Sequence, residues 1–145
     1  MIDKITIDLI PVKDTKSFRI VFTNSIVQKH LVLNNSLLPN ISNTDSDVIS
    51  CVLGIDAVKI LIKQCRESSE DTNIVKDSDV YLIMHPFKDK DKDCILFSIS
   101  NTIQYDNIKF GFITSPKTCG LFIDYLDEAL NNDFKVESFS IIYRV

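Results

Sequence analysis

The two histidines are the first residues to weigh, because imidazole is the usual general base at neutral pH. His85 lies at the end of the apolar run DVYLIMHPF, and His30 lies in the stretch VQKHLV. As half of a catalytic pair, His85 would need a hydrogen bond to the thiol of Cys94 or Cys119. Its apolar context favours a structural histidine with one fixed tautomer. Two isolated histidines do not predict a metal site.

The four cysteines could supply nucleophiles, zinc ligands or disulfides. They are Cys51, Cys65, Cys94 and Cys119, and no two of them form the C-x-x-C pair of zinc ribbons and thioredoxin-type sites. Each has apolar neighbours, as in SCVL, DCILF and TCGLF. A chain of 145 residues can bury enough surface to fold without disulfides. We therefore predict free, buried thiols.

Motifs for phosphate binding, hydrolysis and calcium binding are missing. Gly54, Gly111 and Gly120 are too far apart to form a glycine-rich phosphate loop, and G-x-S-x-G does not occur. The run KDKDKD at 88–93 has the carboxylate spacing of a calcium loop but lacks the glycine and glutamate that an EF-hand requires. It favours an exposed hairpin turn. The sequence thus predicts no catalytic residue, no metal and no cofactor.

Acidic residues are concentrated in two stretches, 67–79 and 124–137, each with a single lysine. Acids collected on a connector and on a helix can form a negative surface that attracts a basic protein. The alternative is an ordinary solvated surface. We predict partner-binding roles for eight of these acids: Glu67, Glu70, Asp71, Asp77, Asp79, Asp124, Asp127 and Glu128. The candidate aromatic anchors are Tyr81, Tyr105 and Tyr125.

The charge and the apolar pattern also limit the partners. The net charge is −4 and only three residues are arginine, whereas direct nucleic-acid binding needs a concentrated basic face. No apolar run approaches the length of about 18 residues that a membrane span needs. The first ten residues alternate charged and apolar side chains, unlike a signal peptide. These features predict a cytoplasmic protein that contacts neither nucleic acid nor membrane.

The elements that must position these residues follow from the spacing of apolar side chains. Alternation predicts strands at 3–12, 18–23, 26–33, 79–87, 94–100, 108–114 and 134–145. Helical spacing predicts helices at 47–68 and 117–131, with polar connectors at 34–47 and 66–79. Gly54 could instead divide the first helix into a short strand and a helix that begins near Asp56.

A single α+β domain, 1–145, is therefore expected. It would contain a mostly antiparallel sheet of about six to seven strands and two helices, in the order βββ-α-βββ-α-β.

The acidic charge and the missing catalytic motifs favour a binding protein over an enzyme. Abundant Ile, Asn and Lys with scarce Ala and Arg indicate an AT-rich gene, a bias common in bacterial islands, phages and large DNA viruses. In general character, though in no motif, the chain resembles the cognate immunity proteins of bacterial toxin systems. We expect an antitoxin that binds a basic toxin, such as a nuclease, and occludes it. The alternatives are a viral or phage host-interaction protein and a small enzyme with a dispersed, motif-free site.

Overall fold

The computed structural model describes residues 2–23, 41–45, 48–78, 80–100 and 110–144. Within these ranges the chain forms nine strands and two helices. In chain order they are β1 (Ile2–Pro11), β2 (Ser17–Thr23), β3 (Ile41–Asp45), β4 (Val48–Gly54), α1 (Ile55–Glu67), β5 (Asn73–Asp77), β6 (Val80–Asp89), β7 (Lys92–Ser100), β8 (Phe110–Thr114), α2 (Pro116–Asn131) and β9 (Phe139–Arg144).

The strands form two antiparallel sheets, so the predicted α+β class, the two helices and the approximate order of elements are confirmed. One sheet has the order β3-β4-β2-β1-β9, and the other has the order β5-β6-β7-β8. We expected the strands to share a single sheet. Alternation shows which side chains face the core, but it does not specify which strands become neighbours.

The five-stranded sheet buries one face, as the alternation at the start of the chain predicts. Ile5, Ile7 and Leu9 are buried on β1, and the intervening Thr6 and Asp8 are partly exposed. On β2 the buried residues are Phe18, Ile20 and Phe22, which pair with β1 in antiparallel register. The predicted strand at 26–33 lies outside the described residues.

Gly54 divides strand β4 from helix α1, so the second interpretation of the segment 47–68 is the right one. Val48–Gly54 pairs with β2 along its length, and Gly54 is the N-cap of the helix that follows. Val58, Leu61, Ile62 and Cys65 then form one buried stripe at helical spacing. A continuous helix over 47–68 would leave the hydrogen-bonding edge of β2 that β4 occupies without a partner strand.

Both polar connectors contain strands that their composition does not predict. Ile41–Asp45 pairs with β4 as an edge strand, and Asn73–Asp77 pairs with β6 at the edge of the second sheet. Val75 is the buried apolar side chain of β5. Because short edge strands need few apolar residues, polar composition hides them.

A shared hydrophobic core joins the two sheets and the two helices. At its centre Phe122 of α2 contacts Phe97 and Phe112 of the second sheet, with ring centroids 5.3 and 5.1 Å apart. Phe22 of the first sheet reaches Phe112 at 6.2 Å. Tyr125 is buried and donates its hydroxyl hydrogen to the Ile7 carbonyl at 3.1 Å. It therefore packs in the core and does not serve as a surface anchor.

The KDKDKD segment forms the tip of the β6–β7 hairpin, as predicted. Lys90 and Asp91 both have positive φ, at 52° and 66°. Positive φ at both central residues is the mark of a type I′ turn, whose twist matches that of the strands it joins. In the part of the chain that the structure describes, neither helix is long and apolar enough to cross a membrane.

Candidate functional site

A cleft of about 640 Å³ opens between the end of α1, the first half of α2 and the β6–β7 hairpin. Cavities of this size are typical of ligand sites, which combine an apolar lining with a few polar groups. Most of the lining is apolar, and it includes Met84, Ile95 and Ile123. This cleft is therefore the candidate functional site.

Sulfur atoms form part of the floor. Cys65 and Cys119 line the cleft together with Met84, and the Cys119 thiol donates to the Met84 thioether at 3.5 Å. Burial raises the pKa of Cys65 to about 11 and that of Cys119 to about 12, and the nearby Cys65 thiol adds to the second shift. Because a thiolate is the reactive form, these neutral thiols act as polarizable apolar surface.

The cysteine prediction holds for the described thiols. All four cysteines are free, and Cys51, Cys65 and Cys119 are buried, whereas Cys94 is only partly covered at the rim of the cleft. Among the residues that the structure describes, no three His, Cys, Asp or Glu side chains are grouped so that they could hold a metal ion.

The rim of the cleft is acidic on two sides. Glu70 and Asp71 lie on the loop after α1, and Asp93 lies on the β6–β7 hairpin, where Lys88 is the basic lining residue. The loop is held in place by the buried Asn73. Its side-chain amide donates to the carbonyl of Ser68 at 3.0 Å and to that of Asp71 at 3.3 Å. The two loop carboxylates are thus presented from a fixed backbone.

The position of these loop acids opposes local electrostatics. The carboxyl end of a helix carries partial negative charge, so basic residues are favoured there and acidic residues are not. Glu67 closes α1, and Glu70 and Asp71 follow within four residues of it. Departures from such local rules are expected where a surface serves a function. The helix end and these acids together place negative charge on this side of the cleft, and Arg66 is the basic residue in the last turn of α1.

The predicted acidic surface is divided by the tertiary structure, and of its seven described residues only Glu70 and Asp71 line the cleft. Asp77 has a structural role, since its carboxylate accepts the Gly54 backbone N–H at 2.8 Å and so ties β5 to the start of α1. A negative charge at that helix end is favourable. Asp79 lies outside the described residues.

The helix acids are partly neutralised. Arg66 of α1 donates to Asp124 at 2.9 Å and to Asp127 at 2.7 Å, and these contacts link the two helices. The two carboxylates raise the pKa of the guanidinium, which remains charged. Glu67 and Glu128 are exposed and do not line the cleft. The binding surface predicted from charge alone is therefore larger than the one that the cleft presents.

His85 lies on the opposite face of the second sheet from the cleft floor. Its neighbour Met84 points toward Cys119, and successive side chains of a strand alternate between faces. The His85 Nδ1 atom is 2.8 Å from the Thr72 hydroxyl, and its ring stacks on Phe87. The Cys94 thiol donates to the Lys92 carbonyl. These positions separate His85 from Cys119 and give it the structural contacts that its context predicts.

Replacing His85 by glutamine should flatten the acid side of the stability profile. Burial lowers the pKa of His85 below its ordinary value of 6.5. As the pH falls below about 6.5, the unfolded chain takes up this proton before the folded chain does, so the free energy of unfolding decreases. Urea unfolding at about pH 7.5 and about pH 5.5 should show a smaller decrease in H85Q. Equal decreases in both proteins would contradict this assignment.

Asp93 and Gly120 are among the site residues that sequence reasoning misses. Asp93 belongs to the alternating charged run at 88–93. This pattern predicts an exposed hairpin tip, but it does not predict the surroundings of Asp93 at the base of the hairpin. Gly120 is an exposed glycine inside α2, where it costs helix stability. This unexplained loss of helix stability was the signal in the sequence that could have identified Gly120 as a site residue.

Comparison with known proteins identifies no relative of this chain. No family model, curated protein or solved structure matches it. The site must therefore be interpreted from its own geometry and charge.

Proposed function

We propose that this protein is a non-enzymatic inhibitor of the immunity type, which binds a basic protein toxin, such as a nuclease, and neutralises it by stoichiometric occlusion. The observation that carries the proposal is the apolar cleft with acids on two sides of its rim, Glu70 and Asp71 on one and Asp93 on the other. An apolar centre within a charged rim is the usual arrangement of a protein-binding surface. A nuclease suits this rim because its active face is built to receive phosphates.

The chemistry of the cleft supports binding rather than turnover. Its buried thiols, Cys65 and Cys119, have raised pKa values, which is the opposite of what a nucleophilic cysteine needs.

Replacing His85 tests whether the protein uses a general base, which would contribute about 10²–10⁴-fold to a rate. We expect the H85Q variant to neutralise its partner as well as the parent protein does. A loss of that size in folded H85Q would overturn the non-enzymatic proposal.

Titration of the partner tests the mode of neutralisation. The first candidate is a secreted nuclease encoded beside this protein's gene. Its activity should fall linearly and reach zero at one equivalent, and the complex should bury at least about 1,200 Å². Complete inactivation by a small fraction of an equivalent would show catalysis by this protein and would rule out occlusion.

Charge reversal tests which surface binds. The double variant Glu70→Lys and Asp71→Lys should slow association with the basic partner and weaken its salt dependence, because steering depends on opposite charges. The matched control is Glu128→Lys with Glu137→Lys, which changes the net charge equally at exposed positions outside the cleft. Stopped-flow measurements at low and high salt give both rates. Equal slowing by the two double variants would reject the cleft as the docking site.

The same cleft variant separates binding from folding. Removing two acids from the end of α1 relieves repulsion with the helix dipole, so the free energy of unfolding should not decrease. A variant that binds poorly yet unfolds at the same or a higher urea concentration would link these acids to function.

A further inference from the structure

We infer that the cleft receives one large apolar side chain of the partner, on a segment that carries lysine or arginine on both sides of it. This inference rests on the proposed function and names the feature of the basic partner that is recognised.

The floor suits an apolar anchor. Met84, Cys119 and Ile123 are each less than a tenth exposed and contribute only carbon and sulfur to the cleft. Unbranched thioethers and thiols adapt to apolar groups of different shapes. A large side chain that enters this space is removed from water on several sides, which is how an interface anchor supplies most of its binding energy.

Gly120 keeps the opening clear. It lies in α2 between Pro116 and Ile123, at helical spacing from both, and all three residues line the cleft. A Cβ atom built on Gly120 would meet nothing within 4 Å. Glycine is therefore not required by packing against the protein itself, although it weakens the helix. An incoming side chain supplies the reason for its presence.

The charges around the opening select a cationic segment. Glu70 and Asp71 stand on the loop, and Asp93 stands on the hairpin opposite Lys88, so three carboxylates and one lysine line the cleft and their net charge favours a cation. The nearby start of α2 has fewer backbone N–H groups to offer an anion than a helix end usually has. Pro116 has no backbone N–H, and the N–H of Thr118 is already bonded to the Ser115 hydroxyl at 3.2 Å.

Short capped peptides test the inference on the intact protein. The probe has one phenylalanine between two lysines, and its comparison peptides carry alanine in place of phenylalanine or glutamates in place of the lysines. We expect the lysine–phenylalanine peptide to shift the amide NMR signals of Gly120 and Ser69. It should bind at least roughly tenfold more tightly than either comparison peptide.

Two variants at one position test the depth of the site. Gly120→Leu fills the opening and should weaken binding of the lysine–phenylalanine peptide at least tenfold. Gly120→Ala adds only the Cβ atom to the same opening and should weaken binding by a smaller factor than Gly120→Leu, because less of the open space is filled. The NMR spectrum of each variant shows whether it is folded. If Gly120→Leu does not fold, the charge-reversal variant at Glu70 and Asp71 should show the same loss of peptide binding.

The outcomes distinguish this inference from the function on which it rests. If the alanine peptide binds equally well and charge reversal abolishes that binding, the rim docks cations without an anchor; the inference fails and the proposed function stands. If the glutamate peptide binds equally well, the cleft accepts apolar groups regardless of charge, which overturns the inference. If no peptide shifts any signal from the cleft, while the basic toxin still forms a complex there, the anchor alone is rejected. A toxin complex that leaves the cleft untouched rejects both.

Discussion

Phe122→Ala is expected to lower the free energy of unfolding by about 3–5 kcal/mol, the range for removing a buried aromatic ring. Phe122 is fully buried, and its ring contacts those of Phe97, Phe112 and Phe139 at 5.3, 5.1 and 5.9 Å. These contacts join α2 to both sheets, so the vacated space cannot close without moving several elements. Small domains have total stabilities of about 5–15 kcal/mol. The variant should therefore lose a large part of its stability.

Leu121→Ala is the matched control for this loss. Leu121 is the preceding residue on the same helix and is 52% exposed. Its replacement should change the free energy of unfolding by no more than about 0.5 kcal/mol. Urea unfolding followed by circular dichroism gives both values, provided that the m-values agree. Similar losses in the two variants would show that α2 does not face the core as described.

Gly111→Ala is the second substitution with a large expected effect, a loss of at least about 3 kcal/mol or failure to fold. Gly111 pairs with Ser98 where β8 lies beside β7. A Cβ atom at Gly111 would come within 1.9 Å of the Phe97 carbonyl oxygen and 2.8 Å of the Ser98 Cα atom. Both atoms belong to the backbone, so no side chain can turn away. The two strands would have to separate locally.

Gly120→Ala makes the same chemical change as Gly111→Ala, but we expect it to raise the free energy of unfolding. Its added methyl group meets no atom, and alanine is the better helix former by about 1 kcal/mol. Thermal or urea unfolding should therefore show destabilisation at Gly111 and stabilisation at Gly120. Two changes of the same sign would mean that one of these local environments is wrong.

The expected gain at Gly120 has a functional counterpart. A residue that could be improved without strain, at the opening of a cleft with an acidic rim, is typical of surfaces that trade stability for binding. Glu70 and Asp71, beyond the end of α1, also lower local stability, because the helix dipole disfavours negative charge there. Both features lower local stability, and the surrounding fold does not explain either of them. Both lie at the cleft, which is why we interpret the cleft as a binding site.

Local patterns in the sequence were sufficient to predict much of the fold. Alternation predicted β1, β2, β6, β7 and β8, and helical spacing predicted α1 and α2. Ser115 and Pro116 marked the start of α2, where the Ser115 side chain caps the helix. These features depend on residues close together in the chain, because side-chain periodicity and capping act over a few positions. The same reasoning predicted free, buried thiols at all four cysteines; all four are free and three of them are buried.

Tertiary structure decided the partition into two sheets and the membership of the site. The short edge strands β3 and β5 are held by hydrogen bonds to distant strands rather than by apolar content of their own. Charge counting could not separate Asp77, which accepts a hydrogen bond from the Gly54 N–H, from Asp71, which borders the cleft. Nor could it show that Arg66 forms ion pairs with Asp124 and Asp127, which lie far from it along the chain. A carboxylate's role depends on the groups that reach it in space, and folding alone brings those groups together.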